Sequence, residues 1–200
     1  NGMFNLTSTY AWDSNIPIWP RRNCVRDERK FQELENVNFA SMKRSDVAVT
    51  WFASVCSTQS DRQNYVTELQ KYIDVDVYGA CGNKTCESDD SEQVLLNDTN
   101  SCKFYLAFEN SICEDCVTEK LLKVLELNIA VVVMGGVNYG DILPKDSFID
   151  VLDYSSPKRL AQYMNYLDKN DDAYNAMVRR KASLRCEDAG SSPILGCSIC

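Results

Sequence analysis

The 200-residue chain contains no histidine. That absence excludes Ser-His-Asp and Cys-His nucleophile activation, HExxH metalloprotease sites and every zinc finger that requires imidazole. No apolar run reaches the 18 or so residues of a membrane span, and Asn1-Gly2-Met3-Phe4 has neither the basic start nor the apolar stretch of a signal peptide. A secretory protein with this sequence is therefore expected to be a processed or truncated part of a longer one. GxGxxG and GxxxxGK[ST] are missing too, so ordinary dinucleotide and P-loop binding lack their fingerprints. No internal repeat is present. Basic residues are in deficit: 21 Lys and Arg face 29 Asp and Glu, and the formal charge of -8 repels phosphate backbones and anionic membranes. No nucleic-acid partner is expected.

Cysteine, by contrast, is plentiful. Ten are present, an even number that suggests bridges and is more than a typical cytosolic enzyme carries. Three N-x-[ST] sequons, at Asn5, Asn83 and Asn97, fit the same oxidising secretory compartment.

The length suits one domain, or one and a fraction, with a real core. Residues 1–45 lack sustained periodicity and read as a loop-rich lead-in. From Val47 to Val55 a β-branched apolar run has the character of a strand buried on both faces of a parallel sheet. A helix is expected over Ser57 to Ile73, a short strand over Val75 to Tyr78, and a polar, acidic surface loop from Glu87 to Asn100. Strands at Lys103 to Phe108, Ile129 to Met134 and Phe148 to Leu152 alternate with a helix at Thr118 to Leu127. Two more helices begin at Ser155-Ser156-Pro157 and at Asp171-Asp172. This alternation predicts right-handed crossovers and an α/β, Rossmann-like, doubly wound parallel sheet.

In such a sheet ligands bind beyond the carboxyl ends of the strands. Ser54-Val55-Cys56-Ser57 leading to Arg62, Glu109-Asn110 with Thr118-Glu119-Lys120, and Gly135-Gly136 all fall there. Arg62 and Lys120 suit a pyrophosphate and Glu119 a ribose; the alternative is that all three are ordinary helix-face charges. Gly135-Gly136 reads as a strand-to-loop turn, and the acids of Asp171-Asp172 and of the loop at Glu87 to Glu92 as solvated groups, not a metal site. Cys113-Glu-Asp-Cys116 and Cys197-Ser-Ile-Cys200 are CxxC pairs, and Cys81 with Cys86 is a looser one. Their separation argues for structural bridges over a zinc knuckle.

The 18 contiguous residues from Lys103 to Lys120, KFYLAFENSICEDCVTEK, closely resemble the signature of the α1,3-fucosyltransferases that use GDP-fucose. The similarity extends to Phe4 through Tyr10, Asp13-Ser14, Trp51 through Arg62, Val75 through Gly79 and Pro157 through Tyr174. It implies the C-terminal half of a GT-B glycosyltransferase, with residues 46–185 as the GDP-fucose-binding domain. Residues 1–45 would then lead in from an N-terminal acceptor domain, and residues 186–200 would form a cysteine-containing tail. By the same resemblance Arg62 and Lys120 match diphosphate contacts, Glu119 a ribose acceptor, Asn110 a residue near fucose and phosphate, and Ser54 and Tyr105 donor-pocket positions. The resemblance further implies a bridge between Cys197 and Cys200, no tightly bound cofactor, stimulation by a divalent cation, and a Golgi-lumen enzyme anchored by a segment outside these residues. The inverting base would belong to the N-terminal half, so no catalytic residue is assigned.

Two departures stand out. Cys116 takes the place of the family tyrosine in Y-V-T-E-K, and Val55 that of an asparagine. Since a thiol lacks the reach and hydrogen bond of a phenol, they support a rival reading, a non-catalytic fragment that keeps the fold and weak nucleotide binding. The main expectation is an α1,3-fucosyltransferase transferring L-fucose from GDP-fucose to a glycan with inversion.

Overall fold

The computed structural model describes residues 7, 9, 11, 13–15, 21–82, 84, 102–125 and 127–189. Five parallel strands form the central sheet: β2 (Val49–Phe52), β3 (Val75–Tyr78), β4 (Phe104–Phe108), β5 (Ala130–Met134) and β6 (Ile149–Asp150), in the order β3-β2-β4-β5-β6. The doubly wound sheet expected from the alternating pattern is present. Strand order reverses between β2 and β4, which opens a crevice at their carboxyl ends.

Alternation along β4 feeds both layers. Phe104, Leu106 and Phe108 join Trp51, Val132, Leu160, Met164, Tyr174 and Val178 in one apolar cluster. Tyr105 and Ala107 join Val131, Val133, Leu121, Val124 and Ile142 on the other face. A strand buried on both faces reads as a continuous apolar run, which is why β4 and β5 were legible.

Helix starts follow their caps. In α4 (Pro157–Asp168) the Ser156 side chain accepts from Arg159 N, with proline in the first turn. In α5 (Asp171–Ala182) Asn170 accepts from Ala173 N, and Asp171 and Asp172 occupy the first turn, as read from the sequence. Two helices are shorter than the periodicity suggests. α2 runs only over Arg62–Leu69, because Asp61 takes a left-handed conformation with φ 55° and leaves residues 57–60 to a loop. α3 is confined to Glu119–Leu122. Beyond it the backbone continues only in turns, and the carbonyls of Val124, Leu125 and Leu127 accept from the buried Lys181 ammonium.

The described part of the stretch expected to be loop-rich holds three elements, β1 (Arg21–Arg26), α1 (Glu28–Glu33) and a short 3-10 helix at Ala40–Met42. β1 pairs antiparallel with β7 (Leu184–Ala189), with Cys24 opposite Cys186, and a disulfide joins the two. Its partner lies 162 residues away, so no local pattern could announce it. α1 is fixed from α5: Arg179 Nε donates to Phe31 O at 2.8 Å and its guanidinium lies 3.8 Å from the Phe31 ring centroid.

Gly79 ends β3 with φ +90°, and a Cβ there would sit 2.9 Å from the Ala53 carbonyl oxygen. Gly79→Ala is therefore expected to destabilise the fold by roughly 1–2 kcal/mol, from left-handed strain plus the close contact. A shift in the urea midpoint at constant slope checks it.

Candidate functional site

The crevice between β2 and β4 is lined by the segments that follow each strand. Arg62, the first residue of α2, turns back into it and is only 2% exposed. Its Nη1 donates to Phe108 O at 2.6 Å and its Nη2 to Val55 O at 3.2 Å, while the guanidinium lies 5.3 Å from the Trp51 ring centroid. Nε has no partner. Burial draws the Arg62 pKa below its ordinary value, and the charges of Glu109, Tyr105 and Glu119 work against that shift.

The loop before α2 is stitched to the loop after β4. Ser60 Oγ donates to Glu109 O at 2.7 Å, Ser60 N to Asn110 O at 3.0 Å, and Ile112 N to Gln59 Oε1 at 2.8 Å. Asn110 is half-buried, and its Oδ1 is a buried acceptor without a partner. Such an atom is costly unless a ligand or water completes it.

Glu109 emerges as the hub. Only 2% exposed, it accepts from Thr118 N at 2.9 Å through Oε1 and from Thr118 Oγ1 at 2.7 Å through Oε2, and Oε2 also stands 3.4 Å from Lys120 Nζ. Lys120 Nζ in turn donates to Thr118 Oγ1 at 2.9 Å and to Glu119 Oε1 at 3.1 Å. Burial opposes ionisation of Glu119, but the Lys120 ammonium outweighs it and holds that carboxyl below the usual range. Tyr139, 1% exposed, completes the wall; its hydroxyl is unpartnered, and burial, then the charges of Glu109 and Asp150, push its pKa up.

Arg62, Asn110, Glu119 and Lys120 thus gather around one buried carboxylate. Ser54 does not join them: it is exposed and stands on the β3 side, near Gly79. Tyr105 is buried in the body of β4, its ring stacked 6.1 Å from that of Phe52. Val55 is 49% exposed, and its contribution is the backbone carbonyl that Arg62 grips. Gly135-Gly136 serves packing, since a Cβ on Gly136 would lie 2.7 Å from Cys113 O. The sequence placed Glu109 and Thr118 at the strand ends without giving either a role, and Tyr139 was not singled out. An acid directly after a buried strand, with a threonine nine residues on, was the available signal.

The cysteines require one correction. Cys81 is bridged to Cys56, not to Cys86. β2 and β3 are parallel neighbours, so the loops leaving their carboxyl ends run side by side, and Cys81 N donates to Ala53 O at 3.0 Å. Cys113 and Cys116 are bonded to each other. The thiol at the position of the family tyrosine therefore staples its own loop. Cys102 is free and buried; it accepts from Thr50 Oγ1 at 3.1 Å, and burial pushes its thiol pKa up. Cys86, Cys197, Cys200, Asn5, Asn83 and Asn97 lie outside the described residues.

A cavity of about 370 Å³, lined by Arg44, Asp46, Lys71 and Asn165 among others, includes Ala48 and Asp74 just before β2 and β3. It is at the opposite end of the sheet from the groups above.

Comparison with known proteins fits this arrangement. The family model "Glycosyltransferase family 10 (fucosyltransferase) C-term" matches residues 42–200. The chain is 39% identical over 182 residues to glycoprotein 3-alpha-L-fucosyltransferase A of Drosophila melanogaster, covering 90% of this chain and 36% of that protein. It is 34% identical to alpha-(1,3)-fucosyltransferase C of the same organism, covering 100% of this chain and 49% of that protein. To GDP-fucose protein O-fucosyltransferase 3 of Xenopus laevis it is 36% identical, covering 90% and 40%. The chain spans less than half the length of each of these relatives. A crystal structure of an alpha1,3-fucosyltransferase with GDP matches at TM-score 0.59 and 19% identity, over 76% of this chain and 44% of that one, which bears on the fold. With its C-terminal family model matched over most of its length, the chain belongs to glycosyltransferase family 10, the fucosyltransferases.

Proposed function

We propose that this chain is the donor-binding half of an α1,3-fucosyltransferase that transfers L-fucose from GDP-fucose to a glycan with inversion. The observation that carries this reading is the convergence of Arg62, Asn110, Glu119 and Lys120 at the strand-order reversal, with Arg62 Nε and Asn110 Oδ1 left unpartnered. In the reaction an acceptor hydroxyl oxygen bonds to fucose C1 as the bond from C1 to the phosphate oxygen breaks. GDP leaves with the electron pair, and a base takes the hydroxyl proton. Arg62 and Lys120 would stabilise the negative charge growing on the diphosphate. Glu119 would accept from the ribose and Asn110 would meet the sugar-phosphate junction, whereas Ser54, on the β3 side, and Tyr105, buried in β4, would make no direct contact with the donor. The base is not assigned to any residue here.

Residues 46–185 form the GDP-fucose-binding domain in this reading, residues 1–45 lead in from an acceptor domain, and residues 186–200 are the tail. The β1–β7 pairing ties the two flanking segments together. Three disulfides among the described residues support an oxidising lumen such as the Golgi, with a membrane anchor elsewhere in the protein. Stimulation by a divalent cation would act by neutralising the donor diphosphate. The non-catalytic reading is the weaker one: its main support was Cys116, and that residue is accommodated in a bridge.

Calorimetry with GDP and GDP-fucose tests the proposal. Lys120→Met is expected to weaken GDP by about 1.5–3 kcal/mol, the worth of a hydrogen bond to a charged group. Wild-type protein with no measurable GDP affinity would overturn the donor assignment. The 36% identity to a protein O-fucosyltransferase favours a second reading for the acceptor, a protein hydroxyl instead of a glycan. Mass spectrometry of products from protein and glycan acceptors offered together separates the two.

A further inference from the structure

We infer that Glu109 is a positioning residue that fixes the Lys120 ammonium for the donor diphosphate; this rests on the donor-binding reading above. Glu109 follows β4 directly, so the sheet sets its backbone, and Glu109 N is held by Met134 O at 2.9 Å on the neighbouring β5. A carboxylate only 2% exposed needs strong compensation, and three donors supply it: Thr118 N at 2.9 Å, Thr118 Oγ1 at 2.7 Å and Lys120 Nζ at 3.4 Å.

The consequence is geometric. Lysine is a point charge on a flexible stem, and in water it would sample many rotamers. Here its amine is caught between Glu109 Oε2, Thr118 Oγ1 and Glu119 Oε1, and its side chain is 18% exposed. Two of those three acceptors have other positions open to them: Thr118 Oγ1 is a rotatable hydroxyl, and the Glu119 side chain is 44% exposed. Glu109 alone is buried and anchored by the strand, and it also fixes Thr118 through both the amide and the hydroxyl. It therefore sets the place of the whole Thr118-Glu119-Lys120 segment. It touches no donor atom in this role; it acts through Lys120.

Glu109→Gln keeps the shape and an acceptor for Thr118 but removes the charge that draws the ammonium. The expected result is a roughly tenfold rise in the GDP dissociation constant in the otherwise wild-type chain, and less than a twofold further change when it is added to Lys120→Met. Such non-additivity marks two residues acting as one unit. Equal effects in both backgrounds would overturn the inference, as would unchanged affinity in the first. A second readout needs no nucleotide: the rate at which an amine-reactive ester labels Lys120, followed by mass spectrometry against the exposed Lys123. Labelling of Lys120 is expected to rise at least threefold in Glu109→Gln, and an unchanged rate would overturn the positioning role even if the chain bound no GDP. Where Glu109→Gln does not fold, Glu109→Asp keeps the charge, shortens the reach by one methylene and is read by the same two measurements with the same expected directions.

Discussion

Replacing Cys24 and Cys186 together by serine is expected to remove about 5 kcal/mol of stability, a large part of the margin of a domain this size. The bridge spans a sequence separation of 162, so in the reduced unfolded chain the loss of that link releases a great deal of conformational freedom. Native contacts add little to the effect. β1 still pairs with β7 through six register positions, and Cys24 N still donates to Ile142 O at 2.9 Å. The measurement is urea unfolding of the double variant beside wild type, both under oxidising conditions so that the Cys56–Cys81 and Cys113–Cys116 bridges remain. A loss below about 1 kcal/mol would mean that the unfolded ensemble is already held compact without the bridge.

Arg62→Ala is expected to cost roughly 2–4 kcal/mol of folding stability in addition to weakening the proposed binding of GDP. The guanidinium is the donor for Phe108 O and Val55 O, and truncation leaves both carbonyls without that partner and opens space over the Trp51 ring. Arg62→Lys separates the two roles. A lysine restores the charge, but its single ammonium lacks the planar fork that reaches one carbonyl at the end of β4 and another in the loop after β2. It is expected to recover less than half of the lost stability. Denaturant unfolding gives the stability, and calorimetry on the folded fraction gives the affinity. If Arg62→Ala unfolds at the wild-type midpoint, Arg62 is not the strut between β2 and β4.

The central sheet was readable because its strands are buried on both faces. Runs such as Ala130–Met134 carry no polar interruption, and each strand is followed by a helix or a turn with recognisable chemistry. Ser156-Pro157 and Asn170-Asp171 marked helix starts through capping, a local interaction that sequence displays directly. β1 was invisible for the opposite reason: Arg21–Arg26 has little apolar character, and its stabilising partner is at the far end of the chain. The length of α2 was misjudged because one left-handed residue, Asp61, decides where the helix begins.

The site was legible as positions and hidden as connections. Arg62, Glu119 and Lys120 are charges after buried strands, and the family resemblance singles them out. Glu109 is charged as well and sits in the same signature as Glu119 and Lys120, yet its importance lies in being inside the wall, a property that emerges only when Thr118 and Lys120 fold back on it. The Cys56–Cys81 pairing was missed similarly. Sequence proximity pointed to Cys86, whereas adjacency of parallel strands brings Cys56 alongside.

The segment after β4 is closed twice over: noncovalently where Glu109 grips Thr118, and covalently, inside that ring, where Cys113 is joined to Cys116. Nested closures of this kind move the timing of an entropy loss. A segment that stayed loose until a nucleotide arrived would charge its ordering against the affinity, by about 0.5–1.5 kcal/mol for each side chain brought to rest. On the donor-binding reading, part of that disorder would be surrendered once, when the thiols are oxidised, and a later binding event would start from a wall already held in place. Cys116 would thereby exchange the contact of a phenol for pre-organisation, and the exchange would last only while the surroundings keep the pair oxidised.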